Sequence, residues 1–282
     1  MTRNGSLTPP TNGYRWSVTK ANAKPGHFSY PRWLLLGILG LASLYGWRLG
    51  LVSQQDPIAV SKVIRAKDGR LLRAYLTPDD KWRLPVALAQ LPKLWVDATL
   101  CLEDQRFFLH PGVDPLAIAR ASLQNISAGQ IVSGASTLTM QLARLRQPKS
   151  RHLLAKALEA IDALAYETLY SKEDILTQYL NLAPFGSNAE GVEAASQLYF
   201  GTQAQHLSAG QMAFLTLLPQ NPSRFSRWQE ADWRKAMARN LNRMVECEII
   251  TAEEAAAAQT TPLPRHWQRF PHLAPHFADW LR

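Results

Sequence analysis

Between Trp33 and Val52 the chain reads WLLLGILGLASLYGW, then Arg48, then Leu49-Gly50-Leu51-Val52, so that twenty residues carry a single charge. At ~1.5 Å of rise per residue, a helix of that length covers roughly the 30 Å hydrocarbon thickness of a bilayer. Trp33 and Trp47 stand where interfacial aromatic side chains anchor such a helix, and Arg48 is near enough to one end to snorkel outward. A buried core helix or a cleaved signal peptide shares this composition. Pro- and Gly-rich sequence before the run, with no Ala-x-Ala pattern after it, favours a membrane anchor over 33–52.

The formal charge of +9 raises the question of a nucleic-acid partner. Residues 1–48 hold Arg3, Arg15, Lys20, Lys24, Arg32 and Arg48 and no acid, which leaves 25 basic against 22 acidic residues elsewhere. The excess is a basic tail (1–32) beside an apolar run, so no nucleic acid is expected. The positive-inside rule puts that tail in the cytoplasm and everything after about residue 53 outside. In a bacterium this describes a single-pass inner-membrane protein with a periplasmic body. ATP is absent there, so a bond-forming enzyme needs an activated substrate delivered by the membrane.

Past the anchor, residues 58–76 are rich in Val, Ile, Leu and Tyr on both sides of Asp68-Gly69, a pair suited to a tight turn, and a β-hairpin connector is expected within 53–92. From 93 to 258 the pattern is helical and rich in Ala, Leu, Glu and Gln, and 259–282 reads as a Pro-rich tail or linker. Within this body, 3.6 periodicity puts Leu153, Ala157, Ile161 and Leu164 on one stripe with Leu154, Leu158 and Ala165 beside it, predicted as core. His152, Lys156, Glu159, Ala163 and Glu167 fall on the opposite side. Cys101 and Cys247 are too few for a disulfide framework or a Cys-rich zinc site, their spacing argues for no bridge, and they read as buried thiols.

Several segments carry chemistry. Glu103-Asp104 lies beside Phe107-Phe108 and precedes His110-Pro111-Gly112, an arrangement that can desolvate a carboxylate and shift it toward the working pH; a helix end with its acids in water fits the same letters. Gly134-Ala135-Ser136-Thr137 entering a helix offers N–H donors and hydroxyls to an anion, and Gln141 and Arg144 add side-chain donors, although Ser and Thr also cap helices without any ligand. Lys156 and Glu159, three apart, form an ordinary exposed pair unless something raises them above it. Tyr179-Leu180-Asn181 through Gly186, Gly191 and Tyr199-Phe200-Gly201, and the turn Leu217-Leu218-Pro219-Gln220-Asn221-Pro222-Ser223-Arg224, read as architecture.

Taken in order, these segments resemble the glycosyltransferase 51 family, the peptidoglycan glycosyltransferase domain of class A penicillin-binding proteins and of monofunctional transglycosylases. The match is Glu-Asp-x-x-Phe-x-x-His-x-Gly, then Gly-x-Ser-Thr-x-Thr-x-Gln-Leu, Lys-x-x-Glu, Tyr-Leu-Asn to Tyr-Phe-Gly, and Leu-Pro-Gln-x-Pro-Ser, over about residues 58–250. Asp68–Leu76 with Trp82-Arg83-Leu84-Pro85 is most similar to the 1C type. The resemblance implies a mostly α, lysozyme-like helical glycosyltransferase domain with a single N-terminal transmembrane helix and a short β-hairpin connector. Its implied substrate is lipid II, polymerised with inversion into β-1,4 glycan strands and release of undecaprenyl diphosphate. The implied catalytic residues are Glu103, as general base, and Glu159. Asp104, Phe107, His110, Gly134, Ser136, Thr137, Gln141, Arg144 and Lys156 are the implied substrate-binding set. The implied partners are lipid II, the growing lipid-linked strand, the inner membrane and other cell-wall synthesis proteins. No dedicated metal-ligand cluster is evident, and a divalent cation, Mg or Mn, would be shared with the substrate diphosphate.

Three positions depart from the family pattern: Leu145 replaces Asn, Ala155 replaces an Arg before the lysine, and Gln211 stands where Glu is common. Arg151 or His152 are candidates to replace the missing cation. A hydrolase or lytic transglycosylase of the same fold class, and a catalytically weak cell-wall scaffold, are the competing readings. Ser17-Val18-Thr19-Lys20 matches a transpeptidase Ser-x-x-Lys only by chance, because no Lys-Thr-Gly accompanies it.

Overall fold

A computed structural model of the chain describes residues 32–130, 134–148, 152–221, 225–273 and 275–280. The basic tail with Arg3, Arg15, Lys20 and Lys24, the Ser17–Lys20 match, Arg151, Pro222-Ser223-Arg224 and the side chains of Trp33 and Leu153 lie outside them.

The chain divides into two compact units, Met1–Ala42 and Ser43–Arg282. In the first, the described residues are helical and Leu34, Leu35, Leu36, Ile38, Leu39 and Leu41 are exposed. They belong to α1 (Arg32–Ser53), which is long and apolar enough over Leu34–Ser53 to cross a membrane.

The second unit begins with the rest of α1, where Arg48 and Val52 are buried. The expected hairpin follows: β1 (Val63–Arg65) pairs antiparallel with β2 (Leu71–Ala74), Val63 opposite Ala74, and Gly69 takes φ +84° in the turn. Trp82–Arg83 then forms β3.

Helices make up most of the remainder. They are α2 (Lys93–Glu103), α3 (Pro115–Ala128), α4 (Leu138–Arg146), α5 (Leu153–Leu169) and α6 (Lys172–Leu182). A second small sheet follows: β4 (Pro184–Gly186) pairs antiparallel with β5 (Ala189–Glu190), and β5 pairs parallel with β3. Next come α7 (Val192–Phe200), α8 (Ala209–Leu215), α9 (Glu230–Glu246), α10 (Ala252–Gln259) and α11 (Pro275–Trp280). The core is continuous from Trp95 and Phe107 through Leu138, Leu142, Ile175 and Tyr199 to Phe214, Trp233 and Met237. Asn181, read as architecture, is that: its amide donates to Val86 O and Thr177 O at 2.9 Å each and its oxygen accepts from Val86 N at 2.8 Å. The segment 268–273 folds back: Phe270 stacks on Trp82 at 4.2 Å, and Leu273 N donates to Leu72 O at 2.9 Å.

Three expectations are corrected. Cys101 and Cys247 are not free thiols but a disulfide, because α2 packs on α9 and brings their Cα atoms to 6.3 Å; a separation of 146 residues leaves no local signal. Arg48 does not snorkel; it is buried against Asp162 of α5. The predicted core stripe of α5 faces largely the wrong way, since Leu154, Ala157 and Leu164 are exposed, Leu158 and Ile161 are half-buried and only Ala165 of the described set is buried, while Ala155, Glu159, Asp162, Ala163 and Tyr166 are buried. Polar partners explain the rotation. Asp162 meets Arg48, Tyr166 donates to Gln55 Oε1 at 2.5 Å, and Glu167 accepts from Thr139 at 2.6 Å and Lys172 at 2.7 Å. Matched inward, these groups outweigh leucine burial on the opposite face.

Candidate active site

Helix α2 starts after Pro92, buries Trp95 and Ala98, and ends at Glu103 with Asp104 as its C-cap. Asp104 turns inward. Its carboxylate accepts from Leu138 N at 3.0 Å and from His110 Nε2 at 3.0 and 3.1 Å. Gly112 N donates to His110 Nδ1 at 3.2 Å, which fixes the hydrogen at Nε2. Thr137, the N-cap of α4, accepts from Met140 N at 3.1 Å and donates to Gly112 O at 2.5 Å. Gly112 has φ +91°, and a Cβ there would lie 2.8 Å from Ala163 O, so only glycine lets this loop lie against α5. Asp104, His110 and Thr137 are thus buried and bonded to the scaffold, and the Phe107 ring is in the core under Lys172 Nζ, 4.4 Å from its centroid.

Glu103 is held differently. It is half-buried, and its two oxygens accept one amide hydrogen bond each: Gln141 Nε2 to Oε2 and Gln220 Nε2 to Oε1, both at 3.0 Å. Tyr179 OH donates to Gln141 Oε1 at 3.4 Å. Burial, and secondarily the Glu103 charge, push the Tyr179 hydroxyl well above its usual range against the opposing field of Arg144, so it stays a donor. The contacts on Glu103 are therefore amides, and the neighbouring aromatics do not supply them.

Glu103 lines a cleft of about 310 Å³ with Arg106, Arg120, Gly134, Ser136 and Arg243 among its walls. Arg106 is tied to Asp114 at 2.6 and 2.7 Å, and Arg243 donates to Cys101 O at 3.2 Å. Burial alone would raise the Asp114 carboxyl, but the Ala117 N–H and Arg106 together hold it below its ordinary value. Lys156, exposed on α5, reaches Ser136 with Nζ to Oγ at 2.8 Å, which joins the α5 cation to the cleft wall. Glu159, one turn further, is 6% exposed and does not line this cleft. Arg144 is exposed on α4, and Gly134 is exposed with open space around it.

The departing positions have local roles. Ala155 is buried, Leu145 packs against the core, and His152 caps α5 by accepting from Ala155 N at 3.0 Å. Gln211 completes a capping box with Ser208, where an amide serves as well as a carboxylate. Gln220, Tyr179, Arg120 and Arg243 were not assigned to the site by sequence reasoning. Only Gln220 and Tyr179 belonged to recognised segments, and nothing in the spacing of Arg120 or Arg243 points to the cleft. Among the described residues no group of three or more His, Cys, Asp or Glu side chains is arranged to hold a metal ion.

Comparison with known proteins covers most of this unit. The family described as Transglycosylase matches residues 68–245. Penicillin-binding protein 1C of Escherichia coli is 38% identical over 78% of this chain, and penicillin-binding protein 1A of the same organism is 35% identical over 87%. The chain spans 29% and 30% of the lengths of these two relatives. A crystal structure of penicillin-binding protein 1A from Haemophilus influenzae aligns over 80% of this chain and 24% of its own, with 21% identity and a TM-score of 0.42. The chain belongs to the transglycosylase family.

Proposed function

We propose that the chain polymerises lipid II, joining the disaccharide of one lipid-linked molecule to the growing strand of another. The observation that carries this reading is the Glu103 carboxylate, fixed by two amide donors and facing a cleft whose wall Lys156 reaches through Ser136. Each carboxylate oxygen engaged by one amide keeps further acceptor capacity. Glu103 takes the proton of the acceptor's 4-hydroxyl as that oxygen attacks the anomeric carbon of the donor's MurNAc from the face opposite the diphosphate. The C–O bond to undecaprenyl diphosphate breaks, and the α linkage becomes β. Lys156, Arg144 and Ser136 stabilise the departing diphosphate, whose growing charge needs cations and donors. Glu159 supports this face of α5 from within. A divalent cation, Mg or Mn, that arrives with the diphosphate would be shared with its oxygens.

The membrane is the second partner. Tyr45, Arg48 and Val52 are committed to the folded unit. Residues 33–44 alone would give about 18 Å of helix, short of the roughly 30 Å of hydrocarbon. The span is completed if apolar residues of the domain also meet lipid, and exposed Leu154 and Leu164 on α5 and Leu116, Leu123 and Ile126 on α3 are candidates for that contact. The tail then faces the cytoplasm and the cleft the periplasm.

Detergent-solubilised protein given labelled lipid II is the test. Long strands from the wild type and almost none from Glu103→Gln, which cannot accept the proton, are expected. Shortening of preformed glycan instead would indicate a hydrolase, and no turnover of either substrate a scaffold.

A further inference from the structure

Arg48 is the one charge in the apolar run, and it lies at the junction of three helices. Its side chain is 7% exposed and that of Asp162, on α5, is 1% exposed. Nε and Nη2 engage the two carboxylate oxygens of Asp162 side-on, and Nη2 also donates to Gln147 Oε1 at 2.8 Å. Gln147 is the C-cap of α4. One guanidinium from α1 therefore grips the end of α4 and the middle of α5 together. Neighbouring contacts repeat the pattern: Tyr45 OH meets Thr168 Oγ1 at 2.7 Å, and Gln55 Oε1 accepts from Arg146 Nε of α4 at 2.8 Å and from Tyr166 OH of α5 at 2.5 Å.

The two gripped helices carry the site. Gln141, on α4, holds Glu103, and α5 carries Lys156 and Glu159, with Asp162 one turn beyond Glu159. A helix that only tethers a domain has no use for a buried ion pair, because desolvating both charges is costly and an apolar pair fills the same space as well or better. What a two-pronged guanidinium–carboxylate contact adds is direction, since both partners must hold one distance and one plane. We infer that Arg48 is a positioning residue for glycosyl transfer: through Asp162 and Gln147 it fixes α5 against α4, and hence Lys156 and Glu159 against Glu103. The anchor helix is then part of the framework of the active site.

The inference rests on the lipid II reading, and the two fail separately: a wild type that makes no glycan in detergent overturns that reading. With an active wild type, full-length Arg48→Met, Arg48→Met/Asp162→Met and Arg48→Lys are compared by kcat, KM and thermal midpoint in detergent micelles, where attachment to a bilayer is not needed. Arg48→Met, which takes the guanidinium away from the buried Asp162 carboxylate, is expected to lose both stability and turnover. The double variant regains the thermal midpoint to within about 3 °C yet keeps kcat about tenfold down with KM within about threefold of wild type. Arg48→Lys, which keeps the charge and loses the fork, also lowers kcat, and it decides the matter if the methionine variants fail to fold. A double variant with wild-type midpoint and wild-type kcat overturns the inference, as does unchanged kcat in Arg48→Lys.

Discussion

Gln220 donates to Oε1 of Glu103 at 3.0 Å from an exposed position in the turn after α8, while Gln141 holds the other oxygen from within the body. The two amides differ in what else depends on them. Gln141 is tied to Tyr179, whereas Gln220 is at the surface and its loss leaves the core untouched.

Gln220→Leu should therefore separate catalysis from folding. Loss of a hydrogen bond to a charged group, worth about 1.5–3 kcal/mol, is expected to lower kcat by about tenfold to a hundredfold. KM and the unfolding midpoint should stay near wild type. Steady-state kinetics on lipid II with a parallel thermal melt checks this, and an unaltered kcat would show that Gln141 alone orients Glu103.

Gly112 and Gly134, both in recognised segments, should behave oppositely. Gly112→Ala forces a side chain into positive φ and within 2.8 Å of the Ala163 carbonyl, so a destabilisation of about 2–4 kcal/mol is expected. Gly134→Ala meets open space and should stay within about 0.5 kcal/mol of wild type. Urea denaturation of both reads the difference; equal midpoints would contradict the packing of the loop against α5.

Reduction of the Cys101–Cys247 bond should cost about 2–4 kcal/mol, because the closed loop is long and the unfolded chain regains its freedom. Melts with and without dithiothreitol, with Cys101→Ala/Cys247→Ala as control, measure it. A midpoint indifferent to reductant, in protein shown to be oxidised, would rule out a stabilising role.

Asp79 supplies an acid-sensitive contact in the connector. Arg83 hydrogen-bonds it at 2.9 and 2.6 Å and holds its carboxyl down to about 2 from 3.8. A depressed folded value gives stability that is present above the unfolded value and lost as the pH falls toward the folded one, so the window lies between about pH 4 and 2. Asp79 is half exposed, which limits the effect to about 1 kcal/mol or less. Asp79→Asn should flatten the pH dependence of urea stability in that window; an unchanged slope would assign it to other carboxylates.

What could be read from the sequence follows from how local each signal is. Asp68-Gly69 between β-rich runs announces the hairpin because a turn is a four-residue event, and the helical body shows through periodicity. The orientation of α5 was not legible, because Leu153, Ala157, Ile161 and Leu164 make the more apolar stripe, and only tertiary partners (Arg48, Gln55, Thr139, Lys172) turn the acidic stripe inward. At the site, Glu103 stands out by its segment. That Asp104 and His110 are bonded to each other, that Thr137 is bonded to Gly112, and that Gln220 touches Glu103 across 117 positions, are relations that no spacing encodes.

On the outward-facing topology proposed above, Cys101 crosses the bilayer 146 positions ahead of Cys247, at the finish of α9. Their sulfurs cannot meet until almost the entire helical body has been translocated. Glu103, two positions past the first cysteine, thus waits on the last major helix to be secreted before its own helix is covalently secured. Maturation of this domain is in that sense an oxidation event, completed by whatever thiol oxidant the compartment supplies.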